Sequence, residues 1–207
     1  MRKEAIIIGY SGHAYVMIEV LKTLGYDIVG YCEQEIKQVN PYNLKYLGEE
    51  CSPSNLALFT STSAFIGIGN NFIRSKVLNA LKNHHVLMPS VIHPASLISA
   101  TAKVDFATLI MPGVIVNALV DIGRGVICNT SSIIEHECTL GDFGHIAPGA
   151  VLAGNVTVGE NTFIGANSVI KEGITIGRNV TVGAGSVVIK NISDGEVVAG
   201  NPAKRLK

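Results

Sequence analysis

The sequence predicts a small Rossmann-like α/β domain of βαβ type, followed by an all-β parallel β-helix. Three observations carry this. Short apolar runs alternate with helically spaced apolar residues over roughly the first 88 positions. From Val91 the apolar period becomes six. Glycine is abundant, at 22 of 207 residues, while aromatics make up 6% and tryptophan is absent. Small aliphatics with many glycines suit a repetitive β architecture better than a helical bundle.

In the first part, residues 5–8 form an all-apolar run fit for a buried parallel strand. Gly9-Tyr10-Ser11-Gly12 reads as a turn. Met17, Val20, Leu21 and Leu24 then recur at helical spacing, and Gly25 stops the helix. Residues 28–31 read as a second strand and 64–68 as a third. Asn70 or Asn71 can cap a helix whose inner face is Ile73, Val77, Leu78 and Leu81. The stretch 33–61 shows no usable period. The domain is expected to span 1–88, with a second domain over 89–207.

The second part is written in hexads. The second residue of each, from Ile92 to Val188, fills 17 consecutive slots, and 16 hold Ile, Leu or Val; Cys128 is the exception, as core filler. No insertion breaks the register. Three hexads make one triangular coil, so Ile122-Gly123, Leu140-Gly141, Val158-Gly159 and Ile176-Gly177, each 18 apart, stack on one edge. Glycine is expected there to ease a tight turn. Each coil is expected to bury three aliphatics, each contributing roughly 1.5–3 kcal/mol.

Composition excludes some functions. The formal net charge is zero, which argues against nucleic-acid binding. Cys32, Cys51, Cys128 and Cys138 match no metal or redox spacing. No stretch approaches the ~20 apolar residues of a membrane span, so a soluble, cytoplasmic protein is expected. His136 and His145 lie deep in the coils and His93 at their entrance, without a third ligand at suitable spacing, so no metal is expected.

A coil does not need histidine. Glu135-His136-Glu137 nevertheless occupies a turn, where the imidazole should face outward, and His145 precedes slot Ile146. A carboxylate on one ring nitrogen fixes the tautomer and raises basicity at the other, as a general base requires. Either acid could serve. Gly9-Tyr10-Ser11-Gly12-His13-Ala14, between a strand and a helix, suits a diphosphate, because free N–H groups and the helix dipole favour anions.

Gly9 to Ala14, Ile68-Gly69-Asn70-Asn71, Asn129-Thr130-Ser131-Ser132, Glu135-His136-Glu137-Cys138 and the tail Gly200-Asn201-Pro202-Ala203-Lys204-Arg205 together resemble the PglD-like (NeuD-type) nucleotide-sugar acetyltransferases. The resemblance implies a left-handed β-helix and transfer of acetyl from acetyl-CoA to the 4-amino group of a UDP-4-amino-4,6-dideoxy-N-acetyl sugar, a precursor of bacillosamine-type glycans. It implies His136 as general base with Glu137 as partner, Glu135 and Asn129 nearby, and the Gly154 N–H as oxyanion donor. It places acetyl-CoA against His145, Ala166 and Ala184, with the Pro202–Lys204 tail alongside. It assigns the nucleotide sugar to Ser11, Gly12, His13, Glu33, Gln34, Gly69 and Asn70. Where the family often carries two aspartates after the second strand, this chain has Glu33 and Gln34, which loosens the assignment of the base. A homotrimer with active sites between subunits is also implied. The rival expectations are a GDP- or dTDP-linked amino sugar, O-acetylation of a sialic acid, or a non-catalytic trimeric scaffold.

Overall fold

The computed structural model describes residues 3–206. The chain divides into two compact units between Val91 and Ile92. No helix among the described residues is long and apolar enough to cross a membrane.

The first unit is built on a three-stranded parallel sheet. Strand β1 (Lys3–Ile8) lies between β2 (Tyr26–Cys32) and β3 (Ser63–Ile66). Residues 5–8 of β1 are fully buried, as a central parallel strand requires. Helix α1 (Gly12–Thr23) buries Ala14, Met17, Ile18, Val20 and Leu21, and Gly25 follows it at φ +80. β3 stops at Ile66, two residues short of the run read from sequence. Gly67, whose N–H still donates to Ile8 O at 2.8 Å, lets strand and helix touch: a Cβ on it would lie 2.6 Å from Ala14 Cβ.

Helix α3 (Asn71–Asn83) is capped by Asn70, whose side chain accepts the Ile73 N–H at 3.0 Å. Its inner face differs from the expected one. Arg74, Leu78 and Leu81 are buried, whereas Ile73 is half exposed. Arg74 takes the inward place because its guanidinium finds acceptors there: Ile68 O at 3.1 Å, Gly69 O at 3.0 Å and Asn71 Oδ1 at 2.9 Å. Burial lowers its pKa to about 9, which still leaves it charged at neutral pH.

The stretch 33–61 is ordered by side-chain hydrogen bonds instead of by a period. Tyr10 Oη donates to Asn40 Oδ1 at 2.7 Å, and the Tyr46 hydroxyl reaches Glu33 O and Gln34 O at 3.2 Å. Tyr10 and Tyr31 stack with centroids 4.2 Å apart. Buried Asn55, on the short helix α2 (Pro53–Leu58), donates to Leu47 O at 3.0 Å and to Glu49 O at 2.7 Å.

The second unit is a parallel β-helix. Two-residue strands recur every six residues, and strands 18 apart pair in register, as Ile127↔His145↔Phe163 and Ile133↔Val151↔Val169 do. Three sheets of eight, six and five strands form the sides. The eight-stranded sheet closes with Val197–Ala199 and then Lys204–Arg205, its edge strand, which folds back antiparallel.

The coils bury more than expected. The second slot of each hexad points inward, but so does the sixth: Thr108, Val114, Val120, Val126, Ser132, Cys138, Ala150 and Val156 are all nearly inaccessible. Six inward positions per coil are therefore available, not three. Most of the polar ones are satisfied by backbone, as where Thr162 Oγ1 donates to Gly177 O at 2.7 Å; the Ser132 hydroxyl has no partner among the described residues. The stacked glycines also have another purpose than easing a turn. None of Gly123, Gly141, Gly159 or Gly177 has positive φ. A Cβ on Gly141 would lie 2.7 Å from Glu160 N, and one on Gly159 would lie 2.6 Å from Arg178 N. These glycines let adjacent coils approach. The left-handed turn position is instead every sixth residue from 107 to 185. The seven from Gly149 to Gly185 are all Gly or Asn, the residues that tolerate it.

Candidate active site

His136 and Glu137 occupy the corner between the six- and five-stranded sheets, after Ile133–Ile134 and before Thr139–Leu140. Both are exposed. His136 Nδ1 lies 3.1 Å from Glu137 Oε2. Glu135 turns elsewhere and accepts from Asn117 Nδ2, one coil back, at 2.9 Å. The imidazole lies against Gly154, one coil on, where an added Cβ would sit 2.6 Å from Nε2. The coil's ladder uses Gly154 O, which accepts from Gly173, but the Gly154 N–H has no acceptor among the described residues. This corner thus brings together a carboxylate-paired imidazole and a free backbone donor.

Glu137 sits at the left-handed position, with φ +62. That conformation is costly for a side-chain-bearing residue, and such strain collects at functional sites.

Asn129 is not beside His136. It lies at the adjacent corner, between the eight- and six-stranded sheets, where its Nδ2 is 3.2 Å from His145 Nε2. His145 is buried and packs edge-on against Phe163, with centroids 5.0 Å apart. Ala166 and Ala184 stand at the same corner on successive coils: Gly165 rests on the Ala184 backbone, and Ala166 O accepts from Gly185. Pro202 and Lys204 are exposed in the terminal return, where Lys204 pairs with Ala199. The residues expected to handle acetyl-CoA and those expected to handle the proton therefore occupy two corners, one side of the triangle apart.

In the first unit, a cavity of about 380 Å³ opens at the carboxyl ends of β1, β2 and β3. Ser11, Glu33, Gln34, Gly69 and Asn70 line it; Gly12 and His13 do not. Ser11 makes no side-chain cap to α1, so its hydroxyl is unused by the helix. His13 sits behind the loop, with Gly69 packed against it. Burial, and to a lesser extent Arg74, lowers the His13 pKa to about 4 and keeps the ring neutral. Glu33 already has partners: its Oε1 accepts the Tyr10 N–H at 2.9 Å and lies 3.3 Å from Lys37 Nζ. Cys32 and Glu50 also line the cavity and were not found by sequence reasoning. Burial, with Glu50 and Cys51 contributing, pushes the Cys32 thiol up to about 12.

No grouping of three or more His, Cys, Asp or Glu suited to a metal occurs among the described residues.

Residues 4–81 match the family described as the PglD N-terminal domain, and residues 155–190 match the hexapeptide repeat of succinyl-transferase. A GDP-perosamine N-acetyltransferase of Escherichia coli is 33% identical over 91 residues, covering 44% of this chain and 41% of that protein. The alignment thus spans under half of that relative's length. Several solved structures match end to end. GDP-perosamine N-acetyltransferase from Caulobacter crescentus, a histidine-to-alanine variant in complex with CoA and GDP-perosamine, superposes with a TM-score of 0.92 at 30% identity, covering 100% of this chain and 98% of that one. The acetyltransferase domain of PglB from Neisseria gonorrhoeae superposes with a TM-score of 0.93 at 32% identity, covering 99% and 100%. With its small α/β unit followed by a left-handed parallel β-helix, the chain belongs to the PglD-like, hexapeptide-repeat family of sugar acetyltransferases.

Proposed function

We propose that the protein transfers the acetyl group of acetyl-CoA to the amine of a nucleotide-linked amino sugar. The observation that carries this reading is the His136–Glu137 pair lying against Gly154, whose N–H is free. With Glu137 accepting from Nδ1–H, the Nε2 lone pair of His136 takes a proton from the attacking amine. The amine nitrogen bonds to the thioester carbon, and the carbonyl oxygen, now negative, takes the Gly154 N–H. Collapse breaks the carbon–sulfur bond, and the His136 proton goes to the departing CoA sulfur. No acyl-enzyme is formed. His145, Ala166 and Ala184 hold acetyl-CoA, and the cavity of the first unit holds the nucleotide.

A GDP-linked amino sugar takes precedence over the UDP-linked one, because two relatives are named for GDP-perosamine.

Assembly as a homotrimer fits the division of the site between two corners. The outward residues of the six-stranded sheet, which separates those corners, are all aliphatic: Leu97, Ile115, Ile133, Val151, Val169 and Val187. The five-stranded sheet presents Lys103, Asp121, Thr139, Thr157 and Thr175. Packing of the aliphatic side on a second copy buries it and sets one chain's His136 beside its neighbour's acetyl-CoA corner.

A free-thiol assay of CoA release tests the reaction. Turnover with GDP-linked amino sugar, falling about 100- to 10,000-fold in His136→Ala, is the expected result. Undiminished turnover in that variant removes His136 as the base. No release with any GDP-, UDP- or dTDP-linked amino sugar removes the reaction.

A further inference from the structure

The cavity of the first unit contains a carboxylate without a partner. Glu33 and Glu50 both line it. Glu33 is engaged by the Tyr10 N–H and by Lys37. Glu50 has neither hydrogen bond nor ion pair among the described residues. Its backbone is nevertheless held in place. Asn55 clamps the carbonyls of Leu47 and Glu49, Gly48 O accepts the Glu33 N–H at 3.1 Å, and Ser52 N donates to Glu49 O at 3.1 Å. A fixed, unpaired anion half-buried in a cavity is suited to a ligand that brings donors.

The rest of the cavity restricts which part of the ligand that is. Gly9 and Ser11 stand at the opening of α1 and Gly69 and Asn70 at that of α3, so the diphosphate lies at this end. Glu33 directly follows β2, where a Rossmann-type sheet presents an acid to the ribose. The base is left for Glu50. Guanine offers N1–H and the exocyclic N2–H side by side, which match the two oxygens of a carboxylate. Uracil offers one N3–H between two carbonyl oxygens, and a carboxylate repels those.

We infer that Glu50 reads the Watson–Crick edge of guanine and makes this cavity select guanosine over uridine nucleotides. The inference rests on the nucleotide-sugar reading above and supplies the residue behind its GDP preference.

Calorimetric titration of the full chain with GDP, IDP, UDP and dTDP tests it. IDP keeps N1–H but lacks the 2-amino group. GDP should bind the unaltered protein roughly 10-fold or more tighter than either IDP or UDP. In Glu50→Gln the GDP affinity should fall by a similar factor, to near that for IDP, while UDP changes less than about twofold. Equal affinity of the unaltered protein for GDP and IDP overturns the inference without any variant. So does an equal loss for all four nucleotides in Glu50→Gln, which moves Glu50 to the ribose or the fold. If no diphosphate binds, the nucleotide-sugar reading itself fails, and the base assignment with it. CoA release with amino sugars, measured in parallel, separates these failures, because acetyl transfer can persist when base selectivity is absent.

Discussion

Glu137 meets two demands that oppose each other. Its carboxylate holds His136, while its backbone occupies a left-handed turn that Asn or Gly fills throughout the later coils. Glu137→Asn should therefore raise stability by about 0.5–1 kcal/mol and lower kcat roughly 10- to 100-fold; urea denaturation and steady-state kinetics on one preparation check both. His13 gives a pH prediction. Its folded pKa of about 4 lies below the ordinary 6.5. Between those values the unfolded chain binds the proton more readily, so stability falls as pH drops from 6.5 toward 4 and is fully retained above that window. The loss should reach roughly 2–3 kcal/mol, read as a falling urea midpoint between pH 7 and pH 4.5 that His13→Asn flattens. At this scale the sequence made His136 conspicuous, since a packing repeat has no use for Glu-His-Glu. It could not separate the acids, because both flank the ring and only the turn geometry sends Glu135 to Asn117. Glu50 carried no signal, as its place depends on side-chain pinning of the preceding carbonyls by Asn55, which no periodicity announces.

The elements divide by how local their causes are. The hexads were legible because each strand pair repeats one inward choice, and α1 because its apolar stripe is regular. The sixth-slot residues were less so: Thr108, Thr162, Ser168 and Ser186 are buried although polar, since backbone carbonyls of the coil take up their hydroxyls, while the buried Ser132 hydroxyl has no partner among the described residues. The inward turn of Arg74 was hidden for the same reason, because its acceptors are carbonyls of the preceding loop. Residues 33–61 were illegible because tyrosine hydroxyls from distant positions hold them. Coil stacking gives a sharp test. Gly141→Ala places a Cβ 2.7 Å from Glu160 N, a backbone atom that cannot step aside. It should cost about 1–3 kcal/mol and lower the thermal midpoint seen by circular dichroism. In Gly185→Ala, where the left-handed backbone has open space around it, the cost should be nearer 1 kcal/mol.

For the whole molecule, the two-corner site and the aliphatic side of the β-helix make one prediction. A double change, Ile133→Glu with Val151→Lys, breaks the apolar stripe without touching either corner. It should convert the proposed trimer to monomer in light scattering coupled to size exclusion, and abolish CoA release while the far-ultraviolet spectrum stays that of a β-helix. Retained CoA release by the monomer places the whole site within one chain. The terminal return has a different consequence. A stack of parallel coils is open at both ends, and each end is a row of unsatisfied amides able to template another chain. At the carboxyl end of the eight-stranded sheet, Lys204–Arg205 lies antiparallel across Val198–Ala199 and brings two cations with it. The short return thereby covers the edge of Val197–Ala199. A chain cut after Gly200 should keep its coils yet gather end to end, seen as concentration-dependent light scattering and thioflavin binding that the intact protein lacks.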